Sequence, residues 1–325
     1  MATDYILFIH GVNTREQREK RTYADQLIGH INKLIDNPNN LKPILLYWGD
    51  VGIESERNLI SKITHPDSSW HQLWFQNTRQ NAILQFMGDA ALYISRSVGS
   101  KIVEALKEQI EDGLKNKSLG DRLHLVTHSW GTFILFDILF AARWNDSNIP
   151  GHKSAMAIRG YFYGLDPYPE QGIRISTIHT MASPIAIFSL LDIVKGENQA
   201  LTPELTENQA EQRATHDITP KLKQLVANLN QEENSNKLPW RNYLHPADPI
   251  AWPLDPLIYS LVDGLQRNIE IKDIISKLSF LESLMQPFSK EALVMLLYGG
   301  QAHGSYFNNV QVAQEIVKTI EQTRK

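Results

Sequence analysis

Residues 123–132 read Leu-His-Leu-Val-Thr-His-Ser-Trp-Gly-Thr, and the almost wholly apolar run Phe133–Ala142 follows directly. A short β-rich segment that passes through a Ser-Trp-Gly turn into a helix apolar on nearly every side leaves few architectures open. Such a helix must be covered all round, and a strand this apolar needs cover on both faces, which parallel sheets flanked by helices provide.

The rest of the chain keeps the same rhythm. Tyr5–Ile9 is a short β-rich run, and Tyr23, Leu27, Ile31, Leu34 and Ile35 recur at helical spacing after it. Pro43–Trp48 is a second apolar run, and residues 70–115 read as helical with Gly88 and Gly99 as breaks. Ile173–Met181 and Trp240–Leu244 are further strands. A final helix has Asn308 or Asn309 as its cap and Ala313, Ile316, Val317 and Ile320 on one face. The expected fold is therefore α/β, a mostly parallel sheet flanked by helices, with residues 1–325 forming a single domain. Two stretches depart from the rhythm, 185–238 and 254–290. The first is rich in Glu, Gln and Asn and holds helix starts at Thr202-Pro203 and Thr219-Pro220. Both are read as helical cap or lid insertions over the C-terminal edge of the sheet, where open α/β sheets bind ligands; ordinary surface helices are the competing reading.

Composition removes several function classes. The 32 basic and 36 acidic residues leave a net charge of -4, too mild to mark a partner of nucleic acid or anionic lipid. The absence of cysteine excludes disulfides, thiolate zinc sites and thiol nucleophiles. The start, Met1-Ala2-Thr3-Asp4, lacks the basic and apolar regions of a secretion signal. No stretch reaches the roughly 18 to 20 apolar residues of a spanning helix, so the expected location is the cytoplasm, with no integral membrane segment.

Chemistry enters at Ser129. A serine hydroxyl is a weak nucleophile unless it is held exposed on a tight strand-to-helix turn beside a base. Val126-Thr127-His128-Ser129-Trp130-Gly131 matches the nucleophile-elbow pattern G-x-S-x-G at its serine and second glycine, with Thr127 in place of the first. Attack on a carbonyl builds negative charge on oxygen, which fixed backbone N–H groups stabilise. The segment Phe8-Ile9-His10-Gly11-Val12-Asn13 ends an earlier strand, so the Val12 and Trp130 amides are the expected oxyanion donors. His10, Gly11 and Gly131 are the expected supporting residues, the glycines allowing close backbone approach.

Taken together, His10-Gly11-Val12-Asn13, the Ser129 turn, Thr180-Met181-Ala182-Ser183-Pro184, His245-Pro246-Ala247-Asp248-Pro249 and His303 resemble the α/β-hydrolase superfamily, in particular its lipase- and esterase-like members. The resemblance spans most of the chain outside the two insertions. It implies an eight-strand core shortened by the first two strands, and a triad in the order Ser, acid, His. His303, in the glycine-rich stretch before the last helix, is then the base. Asp248 is the acid that fixes its tautomer, with Asp255 and Asp192 as rivals. His128 is expected to point away from the site, and His124 and His179 to lie within strands. Trp70, Trp74, Phe75 and Trp252 are expected to line an acyl pocket or a mobile flap, with plain packing as the competing reading. The spacing of His and Asp matches no closed metal site and no dinucleotide fingerprint follows a strand, so neither metal nor cofactor is expected.

The expected activity is hydrolysis of small-molecule or lipid esters through an acyl-enzyme. An acyltransferase with the same triad, and a non-catalytic binding protein on the same fold, are the competing readings; Thr127 in the elbow favours the latter.

Overall fold

The computed structural model describes residues 2–78, 80, 85–187, 216–230, 236–277 and 300–324. Among them, six strands form one sheet: β1 (Asp4–Ile9), β2 (Leu41–Leu46), β3 (Arg122–His128), β4 (Arg174–Met181), β5 (Leu238–Leu244) and β6 (Ile269–Ile275). Every neighbouring pair is parallel, in the order β2-β1-β3-β4-β5-β6. Helices α1 (Asp25–Leu34), α2 (Ile53–Ile63), α3 (Gln85–Ile94), α4 (Arg96–Leu114), α5 (Trp130–Phe140), α6 (His152–Arg159), α7 (Thr219–Leu229), α8 (Asp255–Leu261) and α9 (Val310–Thr323) complete the frame.

The two-residue repeat of a strand divides the core. Tyr5, Leu7 and Ile9 of β1 pack with Ile102, Leu106, Ile134, Ile138 and Ile158 from α4, α5 and α6. Ile6 and Phe8 face the opposite layer with Leu27 and Ile31 of α1 and Ala313, Ile316 and Ile320 of α9. Both faces of β1 are buried, which is why its sequence is continuously apolar and not alternating. All of α5 is buried as well. Its single carboxylate, Asp137, is tolerated because it accepts from Tyr93 Oη at 2.6 Å, Trp144 Nε1 at 3.1 Å and His216 Nδ1 at 2.8 Å, and pairs with Arg143. Among the described residues, no helix is long and apolar enough to cross a membrane.

The strand order reverses between β1 and β3, since β2 lies on one side of β1 and all later strands lie on the other. Open α/β sheets form a crevice at such a point, outside the carboxyl ends of the strands. The turns after β1 and β3 carry Gly11 and Ser129.

At the opposite end of the sheet, Asp4 is fully buried. Its carboxylate accepts from Arg122 Nε at 2.6 Å, Arg324 Nε at 2.9 Å and His124 Nε2 at 3.1 Å. Burial alone would raise its pKa, but the bonds from His124 and Arg122 outweigh burial and hold it below the usual carboxylate range. A carboxyl whose folded pKa is lowered contributes its full stability above the unfolded value, near 4, and loses it as the pH falls through the folded value. Asp4→Asn is expected to cost about 3 kcal/mol at pH 7 by leaving two arginines without their anion. The difference between variant and wild type in urea unfolding should shrink as the pH drops below about 4.

Two features differ from the sequence reading. Among the described residues of the stretch 70–115, 73–75 are not helical, and the helical part from Gln85 on does not break at Gly88 or Gly99; it divides at Ser95, whose hydroxyl caps α4 by accepting from Val98 N at 3.2 Å. Gly99 instead permits close packing, because a Cβ there would lie 2.2 Å from the Tyr93 carbonyl oxygen. The stretch 254–290 is not a purely helical insertion: after α8 the chain enters β6, in register with all of β5. Ile269-Glu270-Ile271-Lys272 alternates as an edge strand does, with Ile269 and Ile271 buried. Most of the insertion expected at 185–238 lies outside the described residues; α7, which begins at Thr219-Pro220 as expected, packs on α5 through Leu222, Leu225 and Val226.

Candidate active site

Ser129 occupies the single residue between β3 and α5, with φ 51° and ψ -131°. This is a conformation that side-chain-bearing residues rarely adopt, and it stores about 1–3 kcal/mol. The surroundings fix it: Ser129 N donates to Met181 O at 2.9 Å and Thr132 N donates back to Ser129 O at 2.9 Å. Thr127, the departure from the glycine pattern, is fully buried and accommodated, since its hydroxyl donates to His179 O at 3.4 Å and accepts from Thr132 Oγ1 at 2.9 Å.

The glycines on either side of the turn are there for contact. A Cβ on Gly131 would lie 2.2 Å from the His10 carbonyl oxygen, and one on Gly11 would lie 2.6 Å from Ser129 Cβ and 3.0 Å from its Oγ. Gly131→Ala is therefore expected to destabilise by about 3 kcal/mol, because the atom it meets is backbone and cannot step aside. Gly29→Ala in α1, where nothing lies within 4 Å of the added carbon, should instead be neutral or stabilising by up to about 1 kcal/mol. Denaturant midpoints of the two variants measure the contrast.

His10 is buried and fixed by two bonds. Trp48 N donates to its Nε2 at 3.2 Å, so the ring proton sits on Nδ1 and donates to Gly11 O at 2.7 Å. The ring also stacks on Trp48, with centroids 5.3 Å apart. Burial drives its pKa down to about 3, so it is neutral at ordinary pH. The Gly11 carbonyl and the Val12 N–H belong to one planar peptide, so holding the first sets the direction of the second. The next residue, Asn13, has φ 58° and donates its N–H to Asp89 Oδ2 at 2.8 Å; Arg15 forks onto both oxygens of Asp89 at 2.9 and 3.0 Å. The turn after β1 is thus tied to α3. Trp130 is the first residue of α5, so its amide stands at the positive end of that helix.

His303 Nε2 lies 2.7 Å from Ser129 Oγ, and its Nδ1 lies 3.0 and 3.1 Å from the two oxygens of Asp248. His303 lies in helical backbone, which the described residues show over 300–304, and not in the loop that its glycines imply. Asp248 is buried in the turn after β5, where it also accepts from Ile250 N at 2.9 Å and Tyr306 Oη at 2.9 Å. Burial pulls its pKa up, but the bonds from His303, Ile250 and Tyr306 prevail and keep it below its ordinary value. Tyr306 Oη in turn accepts from His245 N at 2.8 Å. A hydroxyl, an imidazole and an ionised carboxylate in line can move the hydroxyl proton onto the ring and stabilise the resulting imidazolium.

The rival Asp255 begins α8, where burial and, second, the facing Asp273 raise its pKa; Asp192 lies outside the described residues. His128 does not point away from this group. It is buried with its ring centroid 4.9 Å from that of His303, and its Nε2 donates to His303 O at 2.7 Å. His124 and His179 lie within β3 and β4, joined through Thr177 Oγ1 at 2.9 and 3.0 Å. Trp74 and Phe75 are exposed and meet edge to face with centroids 6.4 Å apart, and Trp252 is also exposed. Among the described residues, no group of three or more His, Asp or Glu has the arrangement of a metal site. Local pattern marks neither Tyr306 nor Asp89 as part of the site. Tyr306 stands three residues after His303, one helical turn on, which is the only local sign of its position.

No protein-family profile matches the chain, and no curated protein matches it. Among solved structures the chain is similar to one described as the crystal structure of ClbQ from the colibactin NRPS/PKS pathway, with 10% identity over 99% of each chain and a TM-score of 0.38. A likeness at that level carries no argument about chemistry.

Proposed function

We propose that this chain is an α/β-hydrolase of the lipase and esterase kind, a serine hydrolase that cleaves carboxylic esters through an acyl-enzyme. The observation that carries the reading is the strained Ser129 at the switch point of the sheet, with its hydroxyl 2.7 Å from His303 Nε2 and that ring backed by Asp248 at 3.0 Å.

In this reading Ser129 Oγ attacks the ester carbonyl carbon while its proton passes to His303 Nε2. The carbonyl oxygen becomes an oxyanion held by the Val12 and Trp130 amides, the second at the start of α5. Asp248 stabilises the imidazolium. Collapse of the intermediate breaks the ester C–O bond, and Nε2 returns its proton to the leaving alcohol. Water then attacks the acyl-enzyme and gives its proton to the same nitrogen; collapse breaks the acyl C–Oγ bond, Nε2 returns the proton to Ser129 Oγ, and the carboxylic acid leaves. His10, its pKa lowered to about 3 by burial, does not compete as a base near neutral pH.

The test is labelling with a fluorophosphonate probe, followed by hydrolysis of p-nitrophenyl esters from acetate to palmitate. Wild type is expected to take one label at Ser129 and to turn over at least part of the ester series; the chain-length profile separates a small-ester enzyme from a lipase. Folded wild type that takes no label and hydrolyses no ester would overturn the reading.

A further inference from the structure

The residue before Ser129 lies between the turn after β1 and the segment that carries His303. The His128 ring is buried, with centroids 4.9 Å from His303, 5.9 Å from Tyr306 and 5.1 Å from Phe307. On its other side, a Cβ added to Gly11 would come within 3.1 Å of its Nδ1. Its Nε2 is 2.7 Å from the backbone carbonyl oxygen of His303. A carbonyl accepts only, so the ring proton sits on Nε2 and donates there. Carbonyls in the last turn of a helix are left without an intrahelical partner, and His303 lies in a helical turn that passes into the tighter Ser305–Asn308 turn.

We propose that His128 is a positioning residue for the proposed serine hydrolysis: its Nε2–H grips the His303 carbonyl and sets the turn 300–308, and hence His303 Nε2, against Ser129 Oγ. The inference rests on the reading of Ser129 and His303 as nucleophile and base. The same strand end carries the nucleophile and the side chain that grips the segment of the base. His128 is the last residue of β3 and Ser129 follows it, so one strand end fixes the hydroxyl and, through the neighbouring side chain, the imidazole that must reach it. The clamp needs a neutral ring, because an imidazolium at this distance would oppose the charge that develops on His303. Burial and the neighbouring His303 supply that neutrality, lowering the His128 pKa to about 3.

The test compares His128→Phe, which keeps the ring but loses the donor, with His128→Gln, whose amide nitrogen can reach the position of Nε2. Circular dichroism and thermal melting establish that each is folded. Two quantities are read: kcat and KM for the best p-nitrophenyl ester, and the exchange rate of the downfield His303 Nδ1–H proton by NMR, which needs no turnover. The expected result for His128→Phe is a kcat lowered by roughly 10- to 100-fold with KM within about twofold, and faster exchange of the His303 proton. In His128→Gln, both return to within a fewfold of wild type. Wild-type values in His128→Phe, or equal impairment in His128→Gln, would overturn the proposal. If wild type takes no fluorophosphonate label, the hydrolase reading fails, while the exchange comparison still decides whether His128 holds the His303 turn.

Discussion

Alanine at Ser129 is expected to lower kcat for p-nitrophenyl ester hydrolysis by about 10⁵- to 10⁶-fold and to abolish fluorophosphonate labelling, because in the proposed mechanism its hydroxyl supplies the attacking oxygen. Alanine at His303 should cost nearly as much, since without a base 2.7 Å away the hydroxyl keeps its proton. The informative variant is the double one. Two residues that act as a unit lose their joint contribution once, so Ser129→Ala/His303→Ala should be no slower than either single variant. In the proposed mechanism the residual rate then measures what binding and the Val12 and Trp130 amides contribute alone. Steady-state kinetics with active-site titration of the wild type settle the matter. A Ser129→Ala enzyme within tenfold of wild type would show that esters are cleaved by some other group. The backbone adds a second, opposite expectation. Ser129→Gly should raise stability, since glycine accepts φ 51° without strain worth about 1–3 kcal/mol.

The Asp248→Asn variant is expected to lose about 10⁴-fold in kcat with the fold intact, by the reasoning that applies to a carboxylate orienting a catalytic imidazole. Both oxygens of Asp248 are committed as acceptors, one to Ile250 N at 2.9 Å and the other to Tyr306 Oη at 2.9 Å, and both lie within 3.1 Å of His303 Nδ1. An asparagine side chain has only one acceptor oxygen. Whichever way it turns, its NH₂ meets a donor, and the relief open to His303 is to move its proton from Nδ1 to Nε2. In that tautomer Nε2 cannot accept from Ser129. Asp255→Asn is the control: its carboxyl faces Asp273, and removing its charge should leave kcat unchanged. A loss in Asp255→Asn equal to that in Asp248→Asn would return the acid to the rival position.

Much of the frame could be read from local pattern because the forces that set it are local. The continuous apolar run of β1, the all-round apolarity of α5 and the Asn309 cap of α9, whose side chain accepts from Gln311 N at 2.9 Å, each depend on residues a few positions apart. The Ser-Trp-Gly turn belongs to the same class, since a strand running directly into a buried helix forces a tight backbone between them. Gly131 is the residue that lets that helix start against the His10 carbonyl.

What the pattern left open depends on which distant segments meet. Ile269–Ile275 alternates well enough for a strand, yet its neighbours read as helix, and only the register with Leu238–Leu244 makes it the edge of the sheet. Nothing local to His128 marks a partner for its ring; that partner is His303, 175 residues later, brought over by the return of the chain into α9. Ser129 and His303 are 174 residues apart, and His303 and Asp248 55. The choice of Asp248 over Asp255 as the group against His303 follows from the turn after β5 and from Tyr306, whose hydroxyl joins His245 N to the carboxylate. The sequence by itself determined the layers and the strained turn that carries the serine, because hydrophobic period and backbone sterics act over one or two turns of chain. The tertiary structure alone decided which acid, which imidazole face and which buried histidine surround that serine, because hydrogen bonds at 2.7–3.1 Å are set by the pairing of strands and helices far apart in the chain.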